Sequence, residues 1–187
     1  DIVKPSATVV SAEDGISTGI ININGKLIII LDFEKIVSDI NPDTGLKVSE
    51  VEALGVRERN DIPILIAEDS ALLNALICDS LKKAGYCNII SCENGKEAWN
   101  VIQDCKAKDI LDEHVKLVIT DIEMPQMDGH HLLKLIREDS ATEDIPVIIF
   151  SSLINDEMRR KGEALGANVQ LTKPEIGNLV REIDALV

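Results

Sequence analysis

Short hydrophobic runs and longer amphipathic stretches alternate along the chain from residue 62 to its end. The apolar runs lie at residues 64–67, 88–91, 117–119, 147–150 and 169–172. Runs of this length predict buried strands, whereas apolar residues that recur every three or four positions between them predict helices. Regular alternation of the two predicts an α/β fold, a five-stranded parallel sheet with helices on both faces.

Polar residues and glycines mark the ends of the predicted helices. Ser70, Asn94 and Asn155 each precede an amphipathic stretch, and their side chains are suited to capping a helix N-terminus. Gly85 and Gly166 each follow a stretch, where a left-handed residue commonly ends a helix. The apolar face predicted for the first helix consists of Leu72, Leu73, Leu76, Ile77 and Leu81.

The first 40 residues have a strand-like pattern. Two isoleucine-rich runs flank Asn24 and Gly25, the preferred pair for a type I′ turn, so the pattern predicts a β-hairpin. A short helix over 34–39 is expected to follow. A lone hairpin is only marginally stable in water. Because the chain begins with Asp1 rather than Met, we expect residues 1–40 to be the remnant of a larger β-rich domain.

Residues 41–61 separate the two patterns. They contain turn-forming residues and end in the charged run 57–61, which predicts a solvated linker. The predicted organisation is therefore a partial domain over 1–40, a linker over 41–61 and an α/β domain over 62–187.

Composition and charge narrow the classes of function. Aromatic residues are only 2% of the chain, so the core must be aliphatic, which suits a sheet buried on both faces. The formal net charge of -14 argues against direct nucleic-acid binding, because phosphates attract Lys and Arg. The sequence shows neither an apolar run of membrane-spanning length nor a targeting segment. The four cysteines form no CxxC pair, which predicts free thiols in the cytoplasm and argues against zinc.

Four of the five predicted strands end at polar residues of types that commonly take part in catalysis or metal binding. Glu68 and Asp69 follow the first strand, Asp121 the third, Ser151 the fourth and Lys173 the fifth. In open parallel sheets, ligands bind just outside the carboxyl ends of the strands. Magnesium prefers carboxylate, carbonyl and water oxygens, so the three acids predict a Mg²⁺ site. The backbone carbonyl of Glu123 lies two residues beyond Asp121 and is a candidate to complete the shell.

Asp121 is the best candidate nucleophile, because a carboxylate can attack phosphorus to give an aspartyl phosphate. Phosphoryl transfer depends on positioning and charge neutralisation, which Mg²⁺, Lys173 and Ser151 would supply. We expect His130 and His131 to be helix-surface residues. The peptide bond between Lys173 and Pro174 is left open as cis or trans, since X–Pro bonds populate both.

These motifs together resemble a response-regulator receiver domain. The matching segments are Ala67-Glu68-Asp69-Ser70, Asp121 to Gly129, Ser151-Ser152 and Lys173-Pro174. The resemblance implies a flavodoxin-like fold, phosphoryl transfer to Asp121 from a histidine kinase, and Mg²⁺ bound by Glu68, Asp69, Asp121 and the Glu123 carbonyl. It also implies that Ser151 and Lys173 sense the phosphoryl group. Gln170 stands where the family usually has an aromatic switch residue, and Glu68 replaces the commoner Asp.

Residues 16–40 resemble the closing hairpin and helix of a CheW-like coupling domain. A CheW-like domain followed by a receiver is the arrangement of CheV chemotaxis coupling proteins. This resemblance implies a cytoplasmic, phosphorylation-dependent signalling adaptor rather than an enzyme. Its implied partners are the chemotaxis histidine kinase and chemoreceptors. No DNA-binding domain follows the receiver before Val187, so we do not expect a transcription factor.

Two alternatives stay open. The first, ranked behind the adaptor, is a stand-alone receiver that acts as a phosphate sink or diffusible output, with residues 1–40 incidental. An aspartyl-phosphate hydrolase of the haloacid dehalogenase type also uses this chemistry. Its nucleophile lies at the first strand in a DxD pattern, whereas here the first strand ends in Glu68-Asp69 and Asp121 comes later.

Overall fold

A computed structural model describes residues 2–3, 17–23, 26–31, 57–152, 154–173 and 175–187. The chain divides into two compact units, Asp1–Gly45 and Leu46–Val187. The domain boundaries predicted from the sequence stay a prediction.

The first unit contains a small antiparallel sheet. Its strands are β1 (Ile2–Val3), β2 (Ser17–Ile23) and β3 (Lys26–Leu31), in the order β1-β2-β3. Ile23 pairs with Lys26, which is the register that a two-residue hairpin turn requires. The turn itself and the helix predicted over 34–39 lie outside the described residues. That this sheet is the remnant of a larger domain stays a prediction.

The second unit has the predicted alternation of strands and helices. In chain order the elements are β4 (Ile64–Ala67), α1 (Ala71–Lys83), β5 (Ile89–Cys92), α2 (Gly95–Ala107), α3 (Leu111–His114), β6 (Leu117–Thr120), α4 (Gly129–Glu138), β7 (Val147–Ser151), α5 (Asp156–Ala164), β8 (Val169–Thr172) and α6 (Ile176–Leu186). The five strands pair in parallel in the order β5-β4-β6-β7-β8. The predicted α/β fold is confirmed, and only the one-turn helix α3 was not predicted.

Hydrophobic packing covers both faces of this sheet. Because side chains alternate along a strand, Ile64 and Ile66 of β4 pack with α1 and α6, while Leu65 and Ala67 pack with α2 and α4. Residues of β6 and β7 divide between the same two clusters. The core is almost entirely aliphatic, as the shortage of aromatic residues predicts.

The predicted helix ends are confirmed. Ser70, Asn94 and Asn155 each accept a hydrogen bond from the backbone N–H three residues ahead, over 3.4, 2.9 and 2.9 Å. Gly85 and Gly166 have φ angles of +97° and +86°, the left-handed conformation that glycine adopts without strain. Each cap satisfies a donor that would otherwise lack a partner at the helix terminus. The four cysteines are free thiols, as predicted.

Three local predictions were wrong. Leu72 is 48% exposed rather than on the apolar face of α1, because that face begins at Leu73. His130 is only 3% exposed rather than on the surface, because it lies one helical turn before the buried Leu133. His131 is exposed as expected. The run 57–61 is not simply solvated, since Arg57 bonds to Asp184 of α6 and Asn60 bonds to Gly85 after α1.

We predict that Leu81→Ala destabilises the α/β unit by about 2–5 kcal/mol, because the leucine is fully buried in α1 and its loss leaves a cavity. Leu72→Ala on the same helix is the matched control and should change the free energy of unfolding by no more than about 0.5 kcal/mol. Urea denaturation of the full chain measures both values. Equal effects of the two substitutions would contradict the packing described.

Candidate functional site

Three carboxylates meet at the carboxyl ends of the parallel strands. Glu68 and Asp69 follow β4, and Asp121 follows the neighbouring strand β6, with Ala67 and Thr120 paired in register. One carboxylate oxygen of each acid lies within 4.8 Å of the others. Glu68 and Asp121 are 2% and 7% exposed, whereas Asp69 is open to solvent. The structure therefore brings together the three acids that the sequence pattern singled out.

Lys173 joins two of these acids. Its Nζ lies 2.5 Å from Asp121 Oδ2 and 2.7 Å from Glu68 Oε2, and its side chain is almost fully buried. Burial opposes a charge on the lysine, but the two carboxylates outweigh it and raise the pKa of Lys173. Burial raises the pKa of Glu68, and the bond from Lys173 only partly offsets this. The cluster thus holds a charged ammonium between two carboxylates, one of which ionises reluctantly.

Backbone contacts fix the position of Asp121. Its N–H donates to Ala67 O over 2.9 Å, and its Oδ1 accepts from the N–H of Ile122 over 2.6 Å. The loop after β6 then folds back under it, so that a Cβ on Gly129 would lie 1.9 Å from Asp121 O. No side chain fits in that space, which explains the glycine that ends the Asp121–Gly129 motif. Oδ2 is left facing Lys173.

Asn74 was missed in the sequence but lies behind the first acid. Its Nδ2 donates to the backbone carbonyl of Glu68 over 3.3 Å. Its Oδ1 accepts from Ser91 Oγ of β5 over 2.5 Å and from Cys78 Sγ over 3.3 Å. The bonds tie the turn after β4 to α1 and β5. The only signal in the sequence is that Asn74 lies one helical turn after the Ser70 cap.

Ser151 ends β7 and is 2% exposed. It lies beside the lysine because β7 and β8 pair in register from Ile148 to Ser151, and the N–H of Lys173 donates to Ser151 O over 3.1 Å. Glu123 lies in the loop after β6 and lines the same cleft as Asp69. Both residues therefore lie at the predicted rim, and their roles there stay predictions.

The side chain of Gln170 contacts helix α5. Its Nε2 donates to the backbone carbonyl of Arg159 in α5 over 2.8 Å. Its Oε1 is buried without a hydrogen-bond partner among the described residues, and a Cβ on Gly162 of α5 would lie 2.4 Å from it. Gln170 therefore ties β8 to α5. Pro174 lies outside the described residues, so the cis or trans state of the preceding bond stays open.

The donor set fits magnesium. Three carboxylates carry three negative charges when ionised, and Lys173 supplies one positive charge, so the cluster has an excess of negative charge that a divalent cation would relieve. All the donors are hard oxygens, as Mg²⁺ prefers. The exposure of Asp69 leaves room for the water molecules that this ion usually retains.

A parallel α/β sheet with an acidic rim and a buried lysine defines a known class of signalling domain. The family model for the response regulator receiver domain matches residues 64–184. The chain therefore belongs to the response regulator receiver family, whose domains are phosphoacceptors in signalling and generally not enzymes. The resemblance read from the sequence is confirmed for this part of the chain.

Two chemotaxis relatives illustrate the similarity. The chain is 30% identical over 166 residues to the chemotaxis protein CheV3 of Helicobacter pylori, covering 88% of this chain and 52% of that protein. It is 28% identical over 119 residues to a CheY homologue of Campylobacter jejuni, covering 64% of this chain and 86% of that protein. The chain thus spans about half the length of the CheV relative.

A solved structure supports the same fold. The receiver domain of the Francisella response regulator 1452 is 28% identical, with a TM-score of 0.57, over 67% of this chain and 96% of that domain. None of the helices in the described part of the chain has the length and apolar character needed to cross a lipid bilayer.

We predict that Lys173→Met lowers the free energy of unfolding by about 3–5 kcal/mol at pH 7 without magnesium, because it leaves two buried carboxylates unpaired. Without the lysine, burial should raise the pKa of Glu68 further. A carboxyl whose pKa is raised by folding costs stability above its unfolded pKa, so the deficit should shrink as the pH falls from the folded pKa towards the unfolded value.

Urea titrations at pH 7 and at pH 5, with and without Mg²⁺, measure this effect. Magnesium should restore part of the lost stability at pH 7. Lys116→Met removes a solvent-exposed pair with Asp112 and serves as the control, with an effect of about 0.5 kcal/mol or less. A deficit that stays constant between the two pH values would show that the buried carboxylates are not its cause.

Proposed function

We propose that the chain is part of a cytoplasmic, phosphorylation-dependent chemotaxis signalling adaptor whose receiver accepts a phosphoryl group on Asp121 from a histidine kinase. The observation that carries the proposal is the position of Asp121 Oδ2, which faces Lys173 beside two further acids at the rim of the sheet. We assign the metal ligands as Glu68, Asp69, Asp121 and the Glu123 carbonyl.

In the proposed reaction a carboxylate oxygen of Asp121 attacks the phosphorus of a kinase phosphohistidine. The new O–P bond forms as the N–P bond breaks, and the released imidazole takes up a proton. Mg²⁺, which Glu68, Asp69 and Asp121 would hold, would neutralise charge on the transferring phosphoryl oxygens. Lys173 then exchanges its bond to Asp121 Oδ2 for a phosphoryl oxygen, and the Ser151 hydroxyl donates to another. The backbone N–H of Ile122 keeps the carboxylate oriented throughout.

The adaptor role is supported by the extent of similarity to CheV3. That alignment covers 166 residues of this chain, more than the predicted receiver over 62–187 contains, so it includes residues upstream of the receiver. We assign residues 1–40 to a CheW-like segment and residues 41–61 to a linker. The proposed partners are the chemotaxis histidine kinase and chemoreceptors.

A stand-alone receiver is the second candidate. The match to the CheY homologue covers 86% of that protein, so a receiver alone accounts for a large part of the similarity. An aspartyl-phosphate hydrolase is the third, and it would show many turnovers on small phosphate esters.

We predict that Asp121→Asn abolishes phosphoryl uptake, because an amide is neither the nucleophile nor an anionic ligand. Incubation of the full chain with a small phosphodonor and Mg²⁺, followed by mass spectrometry, measures uptake. Asp79→Asn is the control, because Asp79 is an exposed acid of α1 paired only with Lys83 among the described residues, and it should be labelled like wild type. Labelling of the Asp121 variant at the wild-type rate would overturn the assignment.

We also predict that the full chain co-purifies with both the chemotaxis kinase and chemoreceptor tails. An adaptor needs both contacts, whereas a diffusible receiver needs only the kinase. Pull-downs with purified partners measure this directly. Binding to the kinase without any retention of receptor tails would favour the stand-alone receiver, and the Asp121→Asn variant shows whether phosphorylation changes either contact.

A further inference from the structure

The segment just before β4 is bound to the receiver by its backbone. The N–H of Asn60 donates to Gly85 O over 2.8 Å, and the N–H of Cys87 donates to Asn60 O over 3.1 Å. These two bonds form a parallel bridge between Asn60 and Tyr86. The bridge lies at the amino ends of β4 and β5, on the opposite rim of the sheet from Asp121.

Gly85 makes room for this segment. Its φ angle of +97° is one that side chains rarely tolerate, and a Cβ there would lie 2.4 Å from Glu58 O. The backbone conformation at position 85 and the lack of room for a side chain there therefore both require glycine. The turn after α1 has a notch into which the backbone of Glu58 fits.

A charged group completes the contact. Asp184 near the end of α6 accepts hydrogen bonds from the Tyr86 hydroxyl over 2.5 Å and from Arg57 Nη1 over 2.8 Å. Arg57 also lies over the Tyr86 ring, 6.0 Å from its centroid. Burial raises the pKa of Asp184, but the bonds from Arg57 and Tyr86 outweigh it and lower the pKa. We call Arg57, Asn60, Gly85, Tyr86 and Asp184 the clasp.

Helix α6 connects the clasp to the acidic rim. It begins at Ile176, three residues after Lys173, and Glu175 at its start is bonded to Thr172 of β8. Its inner face is fully buried against the sheet. Asp184 lies eight residues further on, about 12 Å along the helix axis. A single packed helix therefore connects the end of the chain segment that follows Lys173 to Asp184.

We propose that the clasp is closed while Lys173 is bonded to Asp121 and Glu68, and that phosphorylation of Asp121 loosens it. The inference rests on the proposed phosphoacceptor function and names how that site would signal to the segment ahead of the receiver. The phosphoryl group draws Lys173 into a new position, α6 follows, and the geometry at Asp184 is lost. The side chains of Arg57 and Asp184 are 24% and 35% exposed, so water can replace their bonds when the clasp loosens.

The test is hydrogen exchange on the full chain with Mg²⁺, with and without beryllofluoride as a stable phosphoryl mimic. We expect the amides of Asn60 and Cys87 to exchange at least threefold faster with beryllofluoride. Asp184→Asn should speed this exchange even without the mimic. Because coupling between two sites is reciprocal, the same substitution should raise the affinity for beryllofluoride at least threefold. Tyr86→Phe removes only one hydroxyl, keeps the packed ring and should give the same changes at smaller size.

Asp112→Asn is the control for the loss of a surface acid, because Asp112 in α3 forms only a solvent-exposed pair with Lys116 among the described residues. It should change neither the hydrogen exchange nor the beryllofluoride affinity. Fluorine NMR reports beryllofluoride binding independently. Binding with unchanged exchange at Asn60 and Cys87 would overturn the clasp and leave the phosphoacceptor function standing. Absence of binding would overturn both. Unaltered beryllofluoride affinity in both the Asp184 and Tyr86 variants would also refute the coupling.

Discussion

The buried ammonium of Lys173 between Glu68 and Asp121 is the interaction on which the site depends. Taking two carboxylates out of water is costly unless a cation pairs with them, and here a single lysine pairs with both. The pairing requires β4, β6 and β8 to end at the same rim, which the parallel order of the sheet ensures. The sheet register therefore determines whether Lys173 can reach the two buried carboxylates and offset the cost of burying them.

The same cluster carries more negative than positive charge when its acids are ionised. A lysine neutralises one of three acids, and burial makes Glu68 reluctant to ionise. A divalent cation would supply the missing positive charge, and a phosphoryl group on Asp121 would give the lysine a new anionic partner. The contacts that stabilise the resting state are thus the ones that a reaction at Asp121 would rearrange.

The pattern of apolar runs was sufficient to predict the parallel sheet, because strands buried on both faces leave short aliphatic runs in any such protein. The rim residues could also be predicted, since each follows a strand directly. Side-chain contacts across turns and between distant parts of the chain could not be predicted. Asn74 binds a carbonyl across a turn, and Arg57 meets Asp184 from 127 residues away. The polarity of His130 suggests exposure, but its position one turn before the buried Leu133 places it in the interior.

Strand β8 supports two helices by different means, which bears on how a change at the rim spreads. Lys173 at its end leads directly into α6, whereas Gln170 in its middle bonds to the backbone of α5 and fits against Gly162. An aromatic ring at position 170 would lack the amide that makes this bond. Gln170 and Gly162 are therefore a matched pair, and displacement of β8 would act on α5 and α6 together.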